Sequence, residues 1–303
     1  MKKTVLITGG TGLVGKSLSQ LLVNKGYQVS ILSRKPKKET EEIRYFQWDV
    51  EKGIIDDSCI DNVDFIIHLA GENVAKSRWT ARRKRQILES RTRSTELLHQ
   101  LLSQKEHRVK AFISSSATGY YGTTNSTKIF EESDPVGKDF LASVCSDWEA
   151  AVDAIKKLEI RTAKLRTGVV LAKEKSALQK MLPPFSIGLG AALGGGKQYF
   201  SWIHIEDLCR LYLNAIEHTS LEGSFNAVVG DAITNDMLGS AISKKLRRPY
   251  FMPNLPSFLF HFLFGEMAVI LLKGSQISAD KIKKEGFVFK YNTLEKALDN
   301  LLG

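Results

Sequence analysis

Eight residues near the amino terminus constrain the fold more than any other stretch. Thr8-Gly9-Gly10-Thr11-Gly12-Leu13-Val14-Gly15 follows at once on a short β-branched run, Lys3–Thr8, and leads into helical spacing over Lys16–Lys25. Strand, glycine turn and helix in that order open a βαβ unit. Glycines at 9, 12 and 15 permit φ > 0 in the turn, close approach of a pyrophosphate and tight packing of helix on strand. The amides around Gly12, Leu13 and Val14 then meet a phosphate with the positive end of the helix dipole. The expected dinucleotide cradle is Gly9, Thr11, Gly12, Leu13, Val14 and Gly15.

The rest of the chain keeps the alternation that this start requires. Further strands are expected at Tyr27–Leu32, Arg44–Asp49, Val63–Leu69, Val109–Ser115 and Thr162–Leu171, with helices at Trp79–Gln104 and Asp139–Leu158. Strands alternating with helices mean right-handed crossovers and a parallel sheet, and the continuously apolar strands mean a sheet covered on both faces. The expected fold class is α/β, a Rossmann-type doubly wound parallel sheet with a smaller mixed C-terminal lobe. At roughly 100–200 residues per domain, 303 residues fit that division. Residues 1–171 plus 197–232 form the dinucleotide-binding domain, with strands at Tyr199–Ile205 and Gly223–Val229 around a helix Glu206–His218. Residues 172–196 plus 233–303 form the lobe over the carboxyl edge of the sheet, where ligands of open α/β sheets bind.

The second strand ends Ser33-Arg34-Lys35, about 20 residues past the turn, where an NAD binder places a carboxylate for the ribose 2′-OH. No acid stands there before Glu39. Ser33, Arg34 and Lys35 suit a 2′-phosphate instead, so NADP is expected over NAD. The formal net charge of +10 also suits an anionic partner. Arg78, Arg82, Arg83, Lys84, Arg85, Arg91 and Arg93 crowd one helical region. They read first as a solvated face and next as a funnel for an anionic substrate; with no RNA-binding signature, nucleic acid comes last. Three widely spaced cysteines, 59, 145 and 209, form neither a disulfide framework nor a metal cluster, which favours a reducing, cytoplasmic setting with no metal. The apolar run Pro256–Leu272 is too short to span a bilayer and is broken by His261, Gly265 and Glu266. It reads as a buried or interface helix, its phenylalanines as lobe core or a dimer surface, so no membrane role is expected and the protein is a monomer or homodimer.

The TGGTGLVG turn, the HLAGEN stretch at His68–Asn73 and the SSSATGYYG stretch after the fifth strand resemble an extended short-chain dehydrogenase/reductase. Phe140-Leu141-Ala142, Asp147-Trp148-Glu149, LRTGVVL, SWIHIEDL and Gly265-Glu266-Met267 narrow the resemblance to its atypical sugar-nucleotide epimerase-like, cell-division-inhibitor-like branch, the 39U group. The resemblance spans nearly the whole chain and implies an NADP-binding Rossmann domain with a small C-terminal lobe, but no particular substrate. It also implies that Leu69, Ala70 and Gly71 lie under the adenosine and pyrophosphate, and that Asp49 and Val50 lie near the adenine edge. By the same resemblance Ser90 and Arg91 are coenzyme or site-facing contacts, and Arg166 to Val169, with Gly168 between them, flank the nicotinamide.

The family's acid–base pair is missing. Its Tyr and Lys stand one helical turn apart, so that the lysine stabilises a tyrosinate. Counted back from Glu149, the Tyr position falls on Leu141 and the Lys position on Cys145, and neither can do that job. An unassisted tyrosine, of pKa about 10, gives up about 4 kcal/mol of driving force at pH 7. Ser116 aligns with the family serine and would hydrogen-bond a substrate oxygen. Tyr121 is the stand-in proton donor, or an aromatic lid over the coenzyme; Tyr120 is a weaker candidate. Glu72 is a base or an orienting group. His204 and Asp207 in SWIHIEDL read as loop supports. Gly188–Gly196, with five glycines in nine positions, is a flap over substrate or a mobile connector. The expected function is an NADP-dependent, epimerase/dehydratase-like oxidoreductase acting on a small hydroxyl or carbonyl substrate, anionic if the positive charge serves it. The competing class is a non-catalytic NADP-binding protein that senses redox state.

Overall fold

The computed structural model describes residues 2–35 and 38–303. In chain order it runs β1 (Thr4–Thr8), α1 (Leu13–Asn24), β2 (Gln28–Ser33), β3 (Ile43–Asp49), β4 (Ile54–Ile55), β5 (Phe65–His68), α2 (Ala81–Gln104), β6 (Ala111–Ala117), β7 (Ile129–Phe130), α3 (Phe140–Lys156), β8 (Arg161–Thr167) and β9 (Val169–Leu171). It continues with α4 (Ala177–Ser186), β10 (Trp202–His204), α5 (Ile205–Glu217), β11 (Gly223–Ala227), α6 (Asn235–Lys245), α7 (Ser257–Phe264), α8 (Val269–Leu272), β12 (Gln276–Ile277), α9 (Asp280–Lys284) and α10 (Leu294–Leu302).

Eight strands form one sheet in the order β11-β8-β6-β5-β1-β2-β3-β4, and every pairing is parallel except that of the short edge strand β4. The order reverses at β1, between β2 and β5, which is the switch point of a doubly wound sheet. Apolar side chains alternate between the faces of the central strands. Val5, Ile7, Ile67, Ile113 and Leu165 pack with Leu18 and Leu22 of α1 and Leu211 and Tyr212 of α5. Leu6, Ile66 and Phe112 pack with Leu98 of α2 and with Trp148 and Val152 of α3. Both faces are therefore covered, as the run of apolar strands requires.

The expected strand Thr162–Leu171 is two strands. The break comes at Gly168, where a Cβ would stand 2.5 Å from the Ser201 carbonyl oxygen. Before it β8 pairs with β6 and β11; after it β9 leaves the sheet and pairs with β10. Pro183 and Pro184 lie inside α4. Residues 188–196 are tied down rather than free. Asn235 accepts the Leu193 amide at 2.8 Å, the Leu255 carbonyl accepts the Gly194 amide at 2.8 Å, and the Gln198 side chain donates to the Leu193 and Leu271 carbonyls. The carboxyl-terminal lobe shares its core with the sheet, since Leu294, Leu298 and Leu301 belong to the same apolar cluster as Val5 and Ile7. Its strand β12 pairs with β7, which the sequence reading had assigned to the larger domain.

Candidate coenzyme site and the polar rung beside it

The glycine turn is built as the sequence requires. Gly9 has φ +68°, and a Cβ on it would lie 2.9 Å from the Leu69 backbone; a Cβ on Gly15 would lie 2.4 Å from the Gly9 carbonyl oxygen. Only glycine lets the turn approach β5 and α1 this closely. Six helices, α2, α3, α4, α5, α6 and α10, have a side chain capping their first turn. At α1 the cap position is Gly12, no side chain accepts from the first turn, and no acid stands in it. Its leading amides are thus left for an anion. Thr11 and Gly12 are exposed, and a cleft of about 580 Å³ runs along the outer side of the turn past Leu13, Lys16, Lys173 and Lys175.

The end of β5 is locked to this turn by a buried relay. The Thr8 hydroxyl accepts the Leu69 and Ala70 amides, each at 3.1 Å, so its one proton goes to His68 Nδ1 at 2.8 Å. The Ser94 and Thr95 hydroxyls beside Nε2 donate to backbone carbonyls, which leaves Nε2 as the ring's N–H donor to them, at 3.1 and 3.2 Å. His68 is therefore the neutral Nε2–H tautomer. Burial, helped by the Arg91 charge, pushes its pKa down to about 3. Its role was not legible in HLAGEN; the signal was a histidine at the end of an otherwise apolar strand.

The other expected contacts are placed as follows in the fold around this turn. Ser90 accepts the Glu72 amide at 3.0 Å, and Arg91 donates to the Glu72 and Ile87 carbonyls while lying over the Trp148 ring. Both are half-buried and tie the 69–73 loop to α2 through Glu72. Glu72 is paired with Arg83 at 2.9 Å, and that hydrogen bond holds its carboxyl below the usual range. Asp49 accepts the Glu51 and Lys52 amides in a tight turn, and Val50 packs against the second apolar cluster. Arg34 and Lys35 are exposed at the end of β2, and Ser33 folds its hydroxyl onto the Lys35 backbone. Arg34 lies near enough to Glu72 for its charge to act on that carboxyl.

The proposed catalytic pair lies elsewhere in the sheet. Ser116 of β6, Arg166 of β8 and Asn226 of β11 are partners in register and form one rung of the sheet. Glu149 of α3 closes over that rung. Ser116 donates to its Oε1 at 2.7 Å, and Arg166 grips both carboxylate oxygens at 2.8 and 2.9 Å. A third Arg166 N–H reaches the Tyr121 hydroxyl at 3.0 Å, which donates to Asn226 at 2.7 Å; the guanidinium also lies 3.4 Å over the Tyr120 ring. Two residues back, Lys164 pairs with Asp153 at 2.6 Å. The cations stand at i and i+2 on the strand and the carboxylates at i and i+4 on the helix, spacings that match at about 6–7 Å. The alternation of Lys164 and Arg166 with Ala163 and Leu165 was the signal for this pairing.

Burial alone would raise the Glu149 carboxyl, but the Arg166 hydrogen bonds and charge outweigh it and hold it below the usual range. Burial pushes the Tyr121 hydroxyl up to about 12 against the pull of Arg166. Ser116 is 2% exposed and Tyr121 3%. Both hydroxyls, expected to face substrate, have their hydrogen bonds satisfied inside the fold. Arg166 is likewise buried, its guanidinium held by Glu149, Tyr121 and the Glu132 carbonyl. Gly168 and Val169 donate backbone N–H groups to Ala227 and Ser201 and mark the fork of β8 and β9. Leu141 and Cys145 face the 118–121 turn, where a Cβ on Gly119 would meet them at 3.3 and 3.7 Å. Burial pushes the Cys145 thiol up to about 12. The places of the usual tyrosine and lysine thus hold a half-buried leucine and a buried, protonated thiol.

His204 caps α5 by accepting the Glu206 amide and stacks on Tyr291 at 3.7 Å, while Asp207 accepts the Lys290 and Tyr291 amides. These two residues bind the lobe to the sheet. No group of three or more His, Cys, Asp or Glu suited to a metal occurs among the described residues.

Sheet order, glycine turn and uncapped helix together define a Rossmann-type, doubly wound dinucleotide-binding fold. Residues 5–229 match the NAD dependent epimerase/dehydratase family and residues 255–301 match a domain of unknown function, DUF1731. The chain belongs to that family, as an atypical member of the short-chain dehydrogenase/reductases. It is 37% identical over 298 residues to an epimerase family protein, ML0860, of Mycobacterium leprae, covering 98% of this chain and 95% of that one. It is 33% identical to the epimerase family protein YfhF of Bacillus subtilis, covering 98% and 97%. Human epimerase family protein SDR39U1, solved with NADPH, superposes with a TM-score of 0.87 at 31% identity, covering 98% of each chain.

Proposed function

We propose that the chain binds NADP(H) at the glycine turn and acts as an epimerase/dehydratase-like oxidoreductase on a small hydroxyl or carbonyl substrate, without a tyrosine–lysine pair. The observation that supports this most is the uncapped start of α1, set in a glycine cradle and followed at the end of β2 by exposed Arg34 and Lys35. In this reading the amides of Gly12, Leu13 and Val14 hold the pyrophosphate, with Gly9, Thr11 and Gly15 shaping the turn. Ser33, Arg34 and Lys35 hold the 2′-phosphate. Leu69, Ala70 and Gly71, locked by Thr8 and His68, floor the site. The solved human relative with NADPH agrees with the choice of coenzyme. When bound, NADP(H) supplies a hydride donor or acceptor; the chain binds, orients and shields it from water.

One observation favours a second reading, an NADP-binding protein with no turnover of its own: Ser116, Tyr121, Leu141 and Cys145 leave no titrating hydroxyl where this fold usually holds one. Titration with NADPH and NADH, followed by the nicotinamide fluorescence, tests the shared premise. NADPH should bind tighter by tenfold or more, from about 1.5–3 kcal/mol for a charge-assisted contact. No saturable binding of either would end both readings. Hydride transfer to or from a nucleotide-sugar panel then separates them.

A further inference from the structure

We infer that the outer face of α7 is a docking surface for an anionic lipid layer. Ser257–Phe264 reads SFLFHFLF and is apolar all round, a composition expected of a buried or membrane-contacting helix. Only one stripe is covered: Phe260 is 8% exposed and stacks on Phe264. The opposite stripes are open, with Phe258 72% and Phe262 76% exposed beside Leu259 and Leu263. His261 and Ser257 are the polar side chains on that helix. In the segment just before the helix, Phe251 and Leu255 are also exposed. Isolated exposed apolar residues need no explanation, but a contiguous patch of this kind marks a surface that something covers.

The charge around the patch points to what covers it. The start of α2 abuts the end of α7, since the Arg78 guanidinium donates to the Phe262 and Leu263 carbonyls and Lys84 pairs with Glu266 at 2.6 Å. From residue 73 to 88 the chain has six cations and no acid, and Arg82 and Arg85 are exposed with no ion pair among the described residues. In the chain, Arg247 and Arg248 precede the open segment and Lys273 follows α8, all three exposed. Glu266, already paired, is the one acid between residues 246 and 275. Aromatic and leucine side chains rimmed by Lys and Arg match the interface of an anionic bilayer, the rings entering the headgroup region while the cations meet phosphates. A second copy of the chain fits less well, because a twofold pairing through this face would set the two cationic rims against each other. The helix lies on the surface and does not cross it: no helix among the described residues is long and apolar enough to span a bilayer.

Flotation of the full chain with vesicles tests this, independently of the coenzyme reading. Vesicles of phosphatidylglycerol and phosphatidylcholine should retain the protein at low ionic strength, and vesicles of phosphatidylcholine alone should not. Phe258→Ser with Phe262→Ser, and separately Arg82→Glu with Arg85→Glu, should each lower retention about tenfold or more, with unchanged thermal unfolding. The second variant keeps the test decisive should the first fold poorly. Lack of retention on anionic vesicles, equal retention on neutral ones, or full retention by the charge-reversed variant overturns the proposal. So does a concentration-dependent dimer in the ultracentrifuge that the Phe258/Phe262 variant abolishes, which would assign the face to a second copy.

Discussion

Two halves of the same sheet treat polar groups in opposite ways. Around β1, α1 and β2, groups that could have been satisfied internally are left open: α1 has no cap, Thr11 and Gly12 are exposed, and Arg34 and Lys35 stand at a strand end. Across β6, β8 and β11, polar groups are closed off, with Ser116, Tyr121, Glu149, Arg166 and Asn226 satisfying one another under α3. Open polar groups can exchange water for a ligand with little rearrangement. A closed buried network stabilises the fold only while every member is present, and removing one exposes the rest to the full cost of burial. Open and closed polar groups are thus separated by strand position within one sheet.

The contrast makes ranked predictions. Gly15→Val should be the most damaging change, because its side chain would enter the Gly9–Gly10 backbone. NADPH uptake should vanish in calorimetry and the melting temperature should fall; wild-type affinity would break the claim that the turn is the open half. Glu149→Ala should cost about 3–5 kcal/mol, the usual result of stripping one partner from a buried pair. Urea unfolding measures it, and a loss below about 1 kcal/mol would show the rung to be less closed than its geometry indicates. The Glu149 contribution is present above the unfolded carboxylate value of about 4.3 and is lost as pH falls through the lower folded value.

His68 makes a separate window. Its folded pKa of about 3 lies below the unfolded value of about 6.5, so the unfolded chain takes up the proton first. Stability should then fall as pH drops below about 6.5, by up to about 1.4 kcal/mol per unit from this group. His204, also lowered by burial, adds slope of the same sign, so the difference between wild type and His68→Gln isolates the effect. Identical slopes would remove His68 from the relay. Smallest is Arg34→Asp, expected to weaken NADPH by about ten- to a hundredfold and relatively favour NADH. Unchanged selectivity in fluorescence titration would move the 2′-phosphate elsewhere.

Most of the sheet was legible because its signals are local. A glycine turn after an apolar strand, β-branched runs and helical spacing need no distant partner to be read. The break at Gly168 was missed because a strand pattern continues through it; what splits it is the Ser201 carbonyl, 33 positions on. The partners of Ser116 and Tyr121 were not legible for a related reason. Type and position in a motif mark a hydroxyl as available, whereas the partner that occupies it comes from α3 and β11.

The amino-acid sequence alone determined the βαβ alternation, the conformational freedom of the turn and the absence of a tyrosine–lysine pair, since these depend on side-chain type and near-neighbour sterics. Tertiary structure alone decided which polar groups are open and which are closed, because desolvation depends on what packs above a group. It placed Glu149 over Arg166, set His68 in its neutral form, and left one apolar face of α7 in water.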